Sequence, residues 1–152
     1  MAEGNTLSAE ELRNIKVEAQ ELKLTLETLT SNLDKAAQAY AKSTGDSAAG
    51  FKESLTSSKN LLKDLTSVSK ETLKDRKNLE RFENKIKAAR KEQLRVDTKI
   101  TVLSARLATA TADQRQKLEE VIELLYEQRS ELGEAVNLAG KLTSDRDWET
   151  CT

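Results

Sequence analysis

Apolar and small side chains recur along this chain at alternating intervals of three and four residues, with charged and polar residues between them. That spacing places a narrow apolar stripe along one side of an α-helix, as in the seam of a coiled coil. The pattern predicts an all-α protein with three helices, over about residues 8–42, 51–108 and 113–142. The stripe of the first helix consists of Leu12, Ile15, Ala19, Leu22, Leu26, Leu29, Leu33, Ala36 and Tyr40.

The ends of these helices carry capping signals. Ser8 and Glu11 have the spacing of a capping box, and Thr111 and Gln114 repeat it before the third helix. Two turns are therefore predicted at 43–50 and 108–113, the first of which holds two of the five glycines. Residues 143–152 have no apolar period, so we predict a frayed tail. The whole chain, 1–152, is expected to form a single elongated domain.

The second and third helices are predicted to pair as an antiparallel hairpin. In the best alignment of their stripes Gln93 faces Gln128, where each amide could satisfy the other. Helix one is likewise expected to run antiparallel to helix two, so that helices one and three lie end to end along it. At about 1.5 Å per residue, residues 51–110 would make a helix roughly 90 Å long, which sets the length of the predicted coiled-coil rod. The residues expected to carry packing and self-association are Leu79, Phe82, Ile86, Gln93, Val96, Ile100, Leu103, Leu118, Val121, Leu125, Gln128 and Leu132.

Charge and surplus apolar residues extend this picture. Residues 74–106 carry eleven Lys or Arg against five Asp or Glu, whereas residues 107–152 carry five against ten. Laid antiparallel, the two segments are expected to neutralise each other. Helix three has more apolar residues than a two-stranded seam can bury, which indicates a further partner, and a second copy of the chain is the simplest one. These surplus residues are Ile122, Leu124, Tyr126, Val136 and Leu138.

The chemistry available to this chain is narrow. It has no histidine, and its one cysteine is Cys151, so neither a nucleophile paired with histidine nor a zinc site built on cysteines can form within it. The segment Gly45–Lys52 resembles a phosphate-binding loop, but no strand precedes it. The acidic stripe Glu119, Glu120, Glu123 and Glu127 is interpreted as a solvated helix face. We therefore expect no catalytic, cofactor-binding or metal-binding residues, no cofactor, no enzyme activity and no membrane span.

The sequence pattern of the whole chain resembles that of the coiled-coil part of the tail tape-measure proteins of tailed bacteriophages. The short start Met1-Ala-Glu-Gly is followed by heptads rich in Leu, Ala, Lys, Glu and Thr, and by small-residue breaks such as the segment 43–50. Proteins of that family are elongated helical multimers that fix tail length during assembly. The resemblance implies a structural protein of the virion tail, assembled in the host cytoplasm as a homo-oligomer with tail-tube or baseplate proteins. The chain is shorter than such proteins and lacks their long apolar stretches.

Two other interpretations stay open. The chain could be a cytoplasmic coiled-coil adaptor of a cell, which brings protein partners together through its exposed apolar stripe. The basic segment 74–106 could instead bind nucleic acid electrostatically. Nucleic-acid binding is not expected, because acidic residues interrupt this segment and its one aromatic residue, Phe82, belongs to the seam.

Overall fold

A computed structural model describes residues 8–45 and 55–151. Every regular element within those ranges is helical, which confirms the all-α prediction. In chain order the elements are α1 (Ala9–Thr44), α2 (Thr56–Ser67), α3 (Lys70–Lys74), α4 (Arg76–Arg106), a 3-10 turn (Leu107–Thr109) and α5 (Ala112–Cys151).

Helix α1 follows the sequence pattern closely. It begins at the cap predicted from Ser8, whose hydroxyl accepts a hydrogen bond of 3.0 Å from the Glu11 backbone N–H. All nine residues of its predicted stripe are buried. The helix ends where Gly45 adopts a left-handed conformation (φ 79°) and donates its N–H to the Ala41 carbonyl at 2.7 Å. The rest of the turn predicted at 43–50 lies outside the described residues.

The long second helix predicted over 51–108 is wrong, because the chain breaks it twice. Val68 is extended (ψ 144°), and Ser69 then caps α3 by accepting a hydrogen bond from the Thr72 N–H. Asp75 is extended as well and caps α4 by accepting one from the Lys77 N–H at 3.0 Å. Side-chain oxygens of Ser and Asp compete with helical hydrogen bonding and favour caps over helix interiors. The breaks allow α2 to fold back along α4.

The four longer helices form an antiparallel bundle. α1 packs against α2 and α5, and α4 packs against the same two helices, so α1 and α4 lie on a diagonal. Helices one and three were predicted to lie end to end, and this is also wrong, because α1 and α5 lie side by side. Their antiparallel register brings Ser43, near the end of α1, to Asp113 at the start of α5, and the Ser43 hydroxyl donates to Asp113 at 3.0 Å.

The start and course of α5 also bear on the predictions. The capping box is confirmed, since the backbone N–H of each of Thr111 and Gln114 donates to the other's side chain at 3.3 Å. Residues 143–151, predicted as part of a frayed tail, instead continue the helix. Loss of the apolar period removes packing positions but does not end a helix when neither glycine nor proline follows Gly140.

The surplus apolar residues of α5 are mostly covered within the chain. Ile122, Val136 and Leu138 are buried between α5 and its neighbours. They join the stripes of all four longer helices in one continuous core. The sequence-based reason for expecting a further partner on this face therefore no longer applies, because α1 supplies the covering surface that a two-helix rod lacked.

Candidate functional site

The twelve residues predicted for packing and self-association mainly form the interior of one chain. Eleven of them are buried, and the twelfth, Gln93, is half-buried. Side chains inside a bundle cannot contact another molecule without opening it. Only residues that face outwards can therefore form a surface for a partner.

The pairing predicted between Gln93 and Gln128 is replaced by other contacts. Gln128 is fully buried and donates from Nε2 to the hydroxyl of Thr30 on α1 at 3.5 Å, while its Oε1 has no hydrogen-bond partner. The Nε2 of Gln93 lies beside Gly133, at 3.2 Å from the place a Cβ there would occupy. Gln93 thus lies beside Gly133 and not beside its predicted partner Gln128, so α5 is shifted along α4 relative to the predicted alignment.

The charges between α4 and α5 also differ from expectation. The ion pair that joins these helices in the described part of the chain runs from Arg129 on α5 to Asp97 on α4, with Nε and Oδ1 2.9 Å apart. Its polarity is opposite to that of the predicted pairing, in which α4 would supply the base and α5 the acid. Glu131 instead lies with Glu134 on the flank of α5 that faces α1. The expectation that the basic and acidic segments neutralise each other within the hairpin is therefore wrong, because the rotation of α5 turns its acids towards α1.

An acidic groove lies between α1 and α5. One section of it has a volume of about 540 Å³ and a floor that includes Leu22 and Leu138. Four carboxylates and one lysine stand around this floor, so its charge is predominantly negative. Its charged lining residues are Glu18, Glu21, Glu131, Glu134 and Lys141.

A second section continues the groove along the same two helices. It has a volume of about 470 Å³, and its charged lining residues are Lys35, Glu120, Glu123 and Glu127. Burial raises the pKa of Glu131 on this face above its ordinary value, and the neighbouring charges of Glu134 and Glu127 raise it further. The α1–α5 face therefore carries an excess of negative charge, which attracts cations.

A basic patch occupies the outward side of α4. It consists of Lys87, Arg90, Lys91 and Arg95, which are all exposed; Lys87, Lys91 and Arg95 follow one another at intervals of four, and Arg90 is three residues from Lys87. Leu94 lies among them with 63% of its surface exposed. None of the ion pairs in the described part of the chain involves these four cations. The patch therefore presents positive charge around an apolar side chain.

Glu92 is a structural residue that the sequence interpretation missed. This side chain is 4% exposed and reaches from α4 to the N-terminus of α2. It accepts hydrogen bonds from the backbone N–H groups of Ser57 (2.8 Å) and Ser58 (2.9 Å), and from the Ser58 hydroxyl (2.8 Å). Leu55, the residue at the N-cap position, has no side chain that could do this. Glu92 is the one acidic residue between Asn84 and Val96, and because it is buried the exposed charges of that stretch are all positive.

Residues 8–45 and 55–151 contain no group of three or more carboxylate or thiol side chains that could hold a metal ion. In the same part of the chain, no helix combines the length and the apolarity needed to cross a membrane. The suspected phosphate loop falls mostly outside the described residues, and Gly45 serves to end α1.

Comparisons with known proteins do not identify a relative. The sequence matches no protein-family model and no curated protein, and the structure matches no solved structure. The acidic groove and the basic patch are therefore the features that bear on function.

Proposed function

We propose that this chain is a structural protein without catalytic activity, which assembles with copies of itself as a component of a phage tail. The observation that carries the proposal is the separation of charge on the bundle, with the acidic groove between α1 and α5 and the basic patch on α4. Complementary charged surfaces guide partner choice and orientation. The net charge of the chain is only −1, so the separated charges add little to its solubility. Association between oppositely charged surfaces is the role that this separation suits best.

In this proposal a rod forms when several copies assemble, and a single chain does not form it. Helix α5 has 40 residues and is about 60 Å long, so each bundle would contribute a short unit to a longer object. Length in a phage tail would then arise from repeated bundles and from their contacts with tail-tube or baseplate proteins. The resemblance to tape-measure proteins supports this setting, which places the chain in the virion tail after assembly in the host cytoplasm.

Sedimentation velocity of the purified chain tests the proposal. The mass is expected to rise above 16.9 kDa with increasing concentration at low salt. A chain that stays at that mass throughout the concentration series would contradict self-assembly. The setting is tested separately by the neighbouring genes, which are expected to encode tail-tube or baseplate components.

A cellular adaptor is the alternative function, and one observation favours it. Val17 and Leu24 lie seven residues apart on α1 and are 52% and 54% exposed, so they share an outward face of that helix. Such a face suits an apolar stripe of a different protein. An adaptor would be cytoplasmic, would stay monomeric alone, and would have genes for cellular proteins beside it.

A further inference from the structure

The basic patch and the acidic groove are complementary in charge. The patch offers four cations around the exposed side chain of Leu94. The first section of the groove offers four carboxylates around a floor that includes Leu22 and Leu138. An apolar side chain surrounded by charges that pair at the rim is the usual arrangement of a specific protein contact.

The two surfaces of one molecule cannot meet. The patch lies on the outward side of α4, and α4 contacts α5 on the flank that carries Arg129 and Gly133. The groove lies on the other flank of α5, against α1, and α1 is diagonal to α4. Only a second molecule can bring its patch to this groove.

We infer that the basic patch on α4 of one copy docks into the acidic groove between α1 and α5 of a second copy. Leu94 of the first copy lies over the groove, whose floor at Leu22 and Leu138 is almost fully covered within its own bundle. The cations around it face the carboxylates of Glu18, Glu21, Glu131 and Glu134. The inference rests on the proposed function, since both require copies of this chain to associate.

This contact has a consequence for the form of the assembly. The two surfaces that meet are different, so each docked molecule leaves its own groove or its own patch free for the next one. Contacts of this kind close into rings or continue as open filaments. Repetition along one direction would give the rod-like object that the proposed function needs.

The raised pKa of Glu131 agrees with this occupant. Its carboxylate is held among like charges in a partly buried position, which disfavours ionisation in the isolated bundle. Cations from a docked patch would relieve that repulsion. High salt should weaken the contact, because the charges at its rim are screened.

Charge reversal tests the contact in two parts. The first variant reverses the patch and carries Lys87→Glu, Lys91→Glu and Arg95→Glu. The second reverses the groove and carries Glu18→Lys, Glu131→Lys and Glu134→Lys. Each alone brings like charges together at the contact, so the concentration at which the mass rises should increase by more than about tenfold in sedimentation.

Mixing the two variants in equal amounts is the decisive measurement. The acidic patch of one then fits the basic groove of the other, and the remaining native surfaces also fit, so the mass should rise again. A misfolded variant cannot produce this recovery. Circular dichroism of each variant accompanies the experiment and should show the helicity of the natural chain.

A matched control changes the same charge elsewhere on α4. Arg76→Glu, Lys77→Glu and Arg81→Glu together lie outside the patch and should leave the association within about twofold of the natural chain. Leu94→Asn keeps every charge but should weaken association, because it removes the apolar centre of the contact. An unchanged mass for Leu94→Asn and for the patch reversal would overturn the inference.

The failures of the two proposals are distinguishable. If the natural chain never exceeds the monomer mass, self-assembly and the docking contact are both wrong. If the natural chain associates but neither reversal affects it, the contact is wrong and self-assembly stands. If the patch reversal leaves the mass unchanged and abolishes binding to a short DNA duplex, the patch is a nucleic-acid surface.

Discussion

Glu92 stabilises a helix to which it does not belong. Its carboxylate binds the first free N–H groups of α2, where the chain itself offers only the apolar Leu55 as a cap. A negative charge at that position also interacts favourably with the helix dipole. A buried carboxylate is tolerated here because three donors surround it.

Replacing Glu92 should therefore destabilise the bundle. Glu92→Ala leaves two buried donors and a hydroxyl unpaired, and should lower the free energy of unfolding by about 2–3 kcal/mol, as for hydrogen bonds to charged groups. Glu92→Gln keeps one acceptor oxygen and should lose about half as much. Denaturant unfolding followed by circular dichroism measures both. Glu83→Ala, on the exposed side of α4, is the control, and an equal loss in the control would refute the capping role.

Glu131 has a predictable effect on stability against pH. Its pKa is raised by burial and by Glu134 and Glu127, while Glu18 and Glu21 of α1 face it across the groove and Lys141 lines the groove on its own helix. Because the folded pKa lies above the unfolded one, the folded chain loses stability as pH rises through the titration of this group. Glu131→Gln should accordingly raise the free energy of unfolding at neutral pH.

The difference between Glu131→Gln and the natural chain should vanish at low pH, where this carboxyl is protonated in both the folded and the unfolded state. Unfolding curves at several pH values, taken at a protein concentration where the chain is monomeric, measure it. Glu119→Gln, on an exposed position of α5, should show no such gain. A gain that persists at low pH would have a cause other than this charge.

At the scale of elements, helix periodicity and helix continuity proved to be separate properties. The sequence shows the stripe of α2 and α4 continuing past 68–75, with a slip where Arg76, Leu79 and Phe82 follow one another at intervals of three. That slip coincides with the start of α4. The sequence did contain signals for these helix starts, because Ser69 and Asp75 are residues that cap helices and they cap α3 and α4 in the structure.

A cysteine pair tests how the elements are arranged. Ser43 and Asp113 are in contact in the bundle, whereas in a continuous rod they would lie far apart at opposite ends of helix two. With Cys151→Ser as background, Ser43→Cys and Asp113→Cys should form a disulfide within one chain on mild oxidation. Electrophoresis without reductant shows the faster-migrating monomer. Ser43→Cys with Glu134→Cys is the control and should not close, and links found only between chains would favour the extended rod.

At the scale of the whole molecule, the bundle and the rod differ in length. The longest helix is α5, so an isolated bundle should measure about 60 Å, against roughly 90 Å for the predicted rod. Small-angle X-ray scattering at high salt, where assembly is suppressed, gives the maximum dimension. A value near 90 Å for the monomer would show that α2 does not fold back along α4 in solution.

The sequence alone determined the main apolar stripe that each of α1, α4 and α5 contributes to the core. The stripe of α1, and those of α4 and α5 apart from Gln93 and the residues at the helix ends, follow a spacing of three and four residues, which depends only on the geometry of the helix itself. The caps at Ser8 and Thr111 were equally local, since a side chain bonds to a backbone group three residues away.

Only the tertiary structure decided which helices are neighbours and which way their charges face. Any two apolar stripes can be aligned at several offsets, so the pairing of α1 with α5 and the contact of Gln128 with Thr30 could not follow from spacing. The basic patch and the acidic groove depend on the rotation of α4 and α5 about their axes, which the packing of the whole core sets. The capping role of Glu92 also depends on the tertiary structure, because its partners Ser57 and Ser58 are distant in the chain and become its neighbours only when α2 folds back.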